Sequence, residues 1–401
     1  MHEVTHFGAI VLLVSGAFLV AVLSNRVSER LRVPAAAFFL LAAALASDLW
    51  PELADTLSIR DVERIAVVAL IVILFDGGMR VGWNRFRDSA VPIVSIGLLG
   101  TFATAGLMTL AAHYLLYFSW ETAGLLGAAL APTDPAVMFS VFGRKEIGGR
   151  TGTILEGESG ANDPVGIALM LAAVSLAKTD STSVLHAVGE FCLQLGLGVV
   201  FGVVGAYVLM LVVRRIVLPN PALYPLRTLA FAGVIYGVAT VAHGSGFLAV
   251  YIAGILIGDA DIPAKRGIER FHTSLASLAE IVVFVALGLT VDLTALGQNN
   301  RWLDGLILAL ILALVVRPLA VGPLLMPAHL ASGERLFVMW SGLKGAVPIL
   351  LASFAVLGGV HDAERIYGIV FVVVAFSVVL QGASVPYAAA RLGVPMSSHK
   401  P

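Results

Sequence analysis

The sequence holds one cysteine, Cys192, in 401 residues. A single thiol excludes an intramolecular disulfide and any metal site built on several cysteines. Charge is also scarce: Asp, Glu, Lys and Arg make up 13% of the chain, against about 25% in soluble domains. With 59% hydrophobic residues, this excludes a string of ordinary water-soluble domains. No basic stripe interleaved with aromatics is present, so nucleic acid is not an expected partner. No Lys or Arg precedes the first apolar run; Arg26, Arg30 and Arg32 follow it. That polarity is wrong for a cleaved signal peptide and fits a retained first helix with its N-terminus outside.

What is present is a series of long runs of Leu, Val, Ala and Gly. They predict an all-α integral membrane protein rather than a β-barrel. The 41 glycines suit close packing of membrane helices. Thirteen spans are expected, at 7–24, 34–49, 64–79, 90–117, 121–142, 155–177, 185–213, 228–242, 247–258, 274–291, 303–326, 335–357 and 365–389. Residues 1–391 then form one transmembrane domain and 392–401 a short cytoplasmic tail. Of the 25 basic residues, 18 fall on loops of one side, 5 on the other, and Arg317 and Lys344 lie mid-span. This asymmetry orients the chain with the C-terminus inside a plasma (inner) membrane.

Two spans contain helix breakers. The fifth holds Ala131-Pro132-Thr133-Asp134-Pro135, and the twelfth holds Gly342-Leu343-Lys344-Gly345-Ala346-Val347-Pro348. Paired interruptions at corresponding positions point to a transporter site. The two spans lie seven apart, an odd offset, so spans 1–6 and 8–13 are expected to be inverted repeats with the seventh as linker.

The sixth span carries the densest polar cluster: Glu156, Glu158, Ser159, Asn162 and Asp163, with Pro164 directly after. An ionisable group at membrane depth is a functional-site hypothesis in itself. Pro164 is expected to disturb the helix where the charge sits. Asp134 lies about midway through its span, Asp163 about eight residues into the sixth, Arg317 mid-eleventh and Lys344 about nine residues into the twelfth. At about 1.5 Å of rise per residue the four share one level. Ser159 and Asp163 share a helix face at i,i+4, as do Glu158 and Asn162 on the next.

Alkali cations take oxygen ligands, and broken helices free backbone carbonyls to supply them. Asp163, Asp134, Thr133 and Ser159 offer oxygens to Na+ or K+, and no resident cofactor is implied. One carboxylate binds a proton or a cation, not both, and that competition is sufficient for exchange. Asn162 does not titrate, which favours one-for-one, electroneutral exchange. Asp134 also has a capping role open to it, since Asp is a good N-cap. Lys344 suits the dipole of a broken helix.

Phe75-Asp76-Gly77-Gly78, Thr133-Asp134-Pro135, Glu158 to Asp163 and Gly342 to Pro348 together resemble the monovalent cation:proton antiporter-1 family. That family includes NhaP-type Na+/H+ antiporters and K+/H+ antiporters of the cell-volume-regulation type. The resemblance spans essentially the whole chain. It implies an NhaA/NhaP-like fold of thirteen helices, a homodimer, and an elevator-like shift of a core bundle against a dimerisation domain. By it Asp163 is the proton- and cation-binding carboxylate, with Asn162 as its neighbour. Thr133, Asp134 and Ser159 line the ion site, and Asp76 stands where the family has an acidic residue near it. Glu158 pairs with Arg317 as a structural ion pair. The chain departs from the pattern in carrying Lys344 where relatives often have Arg. It also ends about ten residues after the last helix, short of the cytoplasmic domains of many volume-regulation relatives.

Two other classes compete. A sodium-coupled symporter of organic anions would use similar broken helices, but has no need of Asp163 beside Asn162. Gly157-Glu158-Ser159-Gly160 with Ala242-His243-Gly244-Ser245-Gly246 resembles the Ser–His dyad of an intramembrane protease, yet topology sets Ser159 and His243 at opposite ends of their spans. Glu190 and Glu280 lie within the seventh and tenth spans with no evident partner, and His243 lies at a loop edge, where a pH-sensing role is open to it.

Overall fold

The computed structural model describes residues 33–50, 57–142, 145–178, 184–297 and 300–398, with part of 8–26. Helices occupy twelve of the predicted spans, and the described residues of the first, 7–24, are helical as well. In chain order they are α1 (Ala35–Leu49), α2 (Ile59–Val81), α3 (Ala90–Leu116), α4 (Trp120–Leu130), α5 (Pro135–Ser140), α6 (Gly149–Lys178), α7 (Val184–Arg215), α8 (Leu223–Val241), α9 (Gly246–Gly258), α10 (Lys265–Leu289), α11 (Arg301–Val321), α12 (Ser332–Trp340), α13 (Ala346–Gly358) and α14 (Ala363–Arg391). Seven of the helices are long and apolar enough to cross a membrane.

Several helices begin earlier than their apolar stretches predict. α2 starts at Ile59 rather than 64, α6 at Gly149 rather than 155, and α10 at Lys265 rather than 274. Their first turns carry charge, which hides them from an apolar signal without interrupting the backbone bonds. Side chains fix the starts. Ser58 accepts from the Asp61 N–H at 3.2 Å, and Ser119 accepts from the Thr122 N–H at 3.1 Å, each capping one orphan donor. Arg80, Lys178, Arg214, Arg215 and Arg391 stand in last turns, where a cation suits the helix dipole.

The all-α architecture carries one minor addition. Strands β1 (Lys145–Ile147) and β2 (Met396–Ser398) pair antiparallel, Lys145 opposite Ser398 and Ile147 opposite Met396. The Gly148 N–H donates to the Pro395 carbonyl at 2.9 Å and extends the pairing. These are the only strands among the described residues.

α6 is the hub of the bundle, touching α2, α3, α4, α7, α9 and α13. Small residues allow the closest crossings. A Cβ on Gly78 of α2 would lie 2.5 Å from the Tyr251 carbonyl of α9, and one on Gly254 would lie 2.5 Å from the Phe75 carbonyl. That is how membrane helices gain dispersion energy where lipid offers no hydrophobic drive. The outer face of α7 leaves Val200, Val204, Tyr207 and Leu211 exposed, as a lipid-facing surface requires.

One correction concerns Pro164. α6 runs continuously through it. A proline inside a helix removes one N–H to carbonyl bond, here the one to Gly160. Both sides of the gap are held by neighbours: Gly160 lies against the Tyr251 ring and Gly166 against the Pro132 ring. The backbone opens in α4–α5 and α12–α13 instead.

Candidate functional site

Pro132 and Pro135 explain the first break. Neither has an N–H, so α4 ends at Leu130 and α5 restarts with Pro135 at its first position, where the missing donor is harmless. Gly342 and Gly345 explain the second, between Trp340 and Ala346. The breaks meet: the Asp134 N–H donates to the Leu343 carbonyl at 2.8 Å. A Cβ on Gly345 would fall 1.9 Å from Asp134 Oδ2, and one on Gly342 would fall 2.3 Å from Arg317 Nε. Only glycine allows the second break to pass that close to these two charges.

Lys344 joins the breaks. It is 1% exposed, and its Nζ donates to the Ala131 and Pro132 carbonyls at 3.0 and 2.8 Å. A cation there satisfies the orphan carbonyls at the C-terminus of α4. Its own backbone N–H donates to Ser377 Oγ at 2.8 Å. Ser377 in turn donates to Gln381 Oε1 at 3.0 Å, and Gln381 Nε2 donates to the Trp340 carbonyl at 2.6 Å. Thus α14 caps both sides of the second break. Sequence inspection missed Ser377 and Gln381, yet two polar residues at i,i+4 in the apolar 365–389 span are a usable signal.

α6 holds the first break. Asn162 Oδ1 accepts from the Thr133 N–H at 3.3 Å, and Asn162 Nδ2 donates to Thr133 Oγ1 at 2.7 Å. Ser159 Oγ donates to the Thr133 carbonyl at 2.6 Å. Asp163, one residue after Asn162, is 6% exposed, and its Oδ1 is buried without a hydrogen-bond partner. Asp134 and Lys344 are the charges that act on it. Glu158 and Arg317 form a buried ion pair, Oε1 to Nη1 2.5 Å. Arg317 follows a π-helical turn, Leu312–Val316, in α11, and Pro318 accounts for the wide turn because its ring disfavours the ordinary helical path.

Glu158, Asp134, Asp163, Arg317 and Lys344 sum to a formal charge of −1. One monovalent cation or one proton balances them. An unpaired buried carboxylate oxygen carries the full desolvation penalty, so the arrangement calls for such a partner.

Asp76 is placed differently. It is 4% exposed and held by Arg80, Nε to Oδ2 2.8 Å, and by Thr273, whose Oγ1 donates to Oδ1 at 2.9 Å. It lines a separate cavity of about 300 Å3. Glu280, without an evident partner in the sequence, lies in the field of Asp134 and Arg80. Glu190 stands 3.5 Å from His186 Nε2 on exposed α7. The Ser–His protease arrangement does not form: the Ser159 hydroxyl is donated to Thr133, and His243 sits in the turn after α8 with φ 60°.

Comparisons with known proteins agree with this architecture. The chain is 35% identical over 392 residues to the K+/H+ antiporter NhaP of Alkalimonas amylolytica, covering 97% of this chain and 68% of that protein. It is 34% identical over 375 residues to K+/H+ antiporter NhaP2 of Shewanella sp. (strain ANA-3), covering 92% and 64%. The chain thus spans about two thirds of the length of these relatives. Its fold is similar to that of the sodium proton antiporter MjNhaP1 of Methanocaldococcus jannaschii, with a TM-score of 0.79 at 24% identity over 95% of this chain and all of that one. A family model described as sodium/hydrogen exchanger, transmembrane, matches residues 14–391. The chain belongs to the sodium/hydrogen exchanger family.

Proposed function

We propose that the protein is a secondary-active antiporter that exchanges H+ for Na+ or K+, with both competing for Asp163. The observation that carries this is the buried Asp163 Oδ1, left without a hydrogen bond where two broken helices cross. A proton or a dehydrated cation satisfies that oxygen equally well in charge, and neither can bind while the other is present. Thr133, Asp134, Ser159 and Asn162 form the rest of the cradle. Glu158, Arg317 and Lys344 compensate fixed charge and hold the breaks in place. Since the five-residue charge set lacks one positive charge and Asn162 cannot titrate, exchange is one-for-one and electroneutral. Alternating access follows from a shift of the core bundle, with inverted repeats at spans 1–6 and 8–13, in a homodimer of the plasma membrane with the C-terminus inside.

The test is cation-driven proton movement in proteoliposomes carrying an internal pH dye, with Na+ and K+ titrated separately and the membrane potential clamped or free. The expected result is proton flux insensitive to the clamp, abolished by Asp163→Asn at unchanged yield of folded protein. Flux that survives in Asp163→Asn would overturn the mechanism.

A further inference from the structure

Arg317 is engaged at one nitrogen only. Its Nη1 meets Glu158, while Nε and Nη2 are buried and have no hydrogen-bond acceptor among the described residues. On a guanidinium these two N–H groups form a fixed fork. Arg317 lines a cavity between α11, α14 and the second break. Two wide turns make the space. α11 has its π-helical turn at Leu312–Val316, α14 has another at Ser377–Gln381, and Leu312, Ala313, Ser377 and Gln381 all line the cavity. Such turns recur at functional sites. Gly342 lines it too, and a Cβ there would fall 2.3 Å from Nε and 2.8 Å from Nη2, so glycine keeps the fork clear on this side. The cavity measures about 10 Å3, the room of a single water.

We propose that this cavity is a hydration site, in which one bound water accepts from Arg317 Nε–H and Nη2–H and donates to Gln381 Oε1. Gln381 Oε1 has a lone pair to spare: it accepts from Ser377 Oγ at 3.0 Å, and an amide oxygen accepts two bonds. Three polar partners are what holds a buried water. Buried donors on a charged group carry a large penalty when unpaired, and the water removes it. A transported cation is excluded here, since the guanidinium repels it. The water also ties two parts of the crossing together. Gln381 Nε2 donates to the Trp340 carbonyl at the end of α12, so the Glu158–Arg317 pair is set in register with the second break. Gln381 is thereby a positioning residue that acts on the crossing through Arg317. Its meaning for exchange rests on the antiporter reading, but occupancy of the site can be measured without transport.

The experiment joins a density map of the full chain in nanodiscs, fine enough to show ordered water, to thermal melts and proteoliposome flux of variants. A water peak within hydrogen-bond distance of Arg317 Nε, Arg317 Nη2 and Gln381 Oε1 is expected. A map that orders these side chains and shows no peak between them would overturn the proposal. Ala313→Val displaces the water and should lower the melting temperature by about 4 °C. Ala313→Thr, of the same shape, brings a hydroxyl in the water's place and should lose less. A rise in Ala313→Val, as filling a dry gap gives, or equal losses in both variants, as overpacking gives, would overturn the hydration site. A melting temperature that rises with chloride against gluconate would assign the fork to an anion and overturn it as well. Gln381→Leu should raise the half-saturating cation concentration about fivefold, the loss of one hydrogen bond. It should add little in an Arg317→Lys background, where the fork is gone and the charge facing Glu158 remains. Equal effects in the two backgrounds would leave Gln381 a cap of Trp340 alone. Failure of the antiporter reading shows separately, as absent proton flux in the parent protein with map and melts unaffected.

Discussion

Asn162 and Thr133 hold each other through two hydrogen bonds, amide oxygen to backbone N–H at 3.3 Å and amide nitrogen to hydroxyl at 2.7 Å. The residue beside Asp163 is therefore the clasp of the first helix break. Asn162→Ala leaves the Thr133 N–H and hydroxyl buried without partners. It is expected to lower stability by about 1–3 kcal/mol and to weaken cation affinity, read by thermal unfolding and by half-saturation of flux. An unchanged melting temperature would show that the clasp contributes nothing.

Arg317→Ala strands the Glu158 carboxylate, which is 1% exposed. Removing one partner of a buried ion pair costs about 3–5 kcal/mol. The melting temperature should drop more than cation affinity does, and Glu158→Gln combined with Arg317→Gln should cost less than the sum of the two single changes. A stable but inactive Arg317→Ala protein would move Arg317 into the transport step.

Lys344→Met keeps the length of the side chain and removes its ammonium. The Ala131 and Pro132 carbonyls lose their donor, a loss on the order of 2 kcal/mol. The charge set at the crossing also becomes more negative by one. Exchange should fall with stability, measured by dye-based flux and thermal melts on the same preparation.

Gly345→Ala places a methyl group 1.9 Å from Asp134 Oδ2, so Asp134 or the second break must move. Overpacking of this kind costs typically about 1–3 kcal/mol, and flux should fall sharply. Gly106→Ala, whose Cβ meets nothing within 4 Å, is the matched control and should leave flux at the parental level.

Much of the site could be read in the chain itself. Pro132 and Pro135 lack donors, so a break between α4 and α5 is a local necessity, and the glycines around Lys344 do the same for α12 and α13. Apolar run length sets where helices lie, because lipid leaves backbone groups no partner but each other. Pro164 misled because one lost hydrogen bond is a local term, whereas the course of α6 is set by packing on the helices around it. The charged first turns of α2, α6 and α10 were invisible for the opposite reason: their helical bonds are local, but their residues carry no apolar signal.

By itself, then, the sequence determined the helices, the two breaks and the level of the charges, since each follows from covalent chemistry or from run length. Only the tertiary structure decided partners. Lys344 reaches the carbonyls of a helix more than two hundred residues away, Ser377 and Gln381 cap a break on another helix, and Asp76 is claimed by Arg80 and Thr273 at a cavity of its own. Such pairings depend on which faces pack together, and that is a property of the whole bundle rather than of any stretch within it.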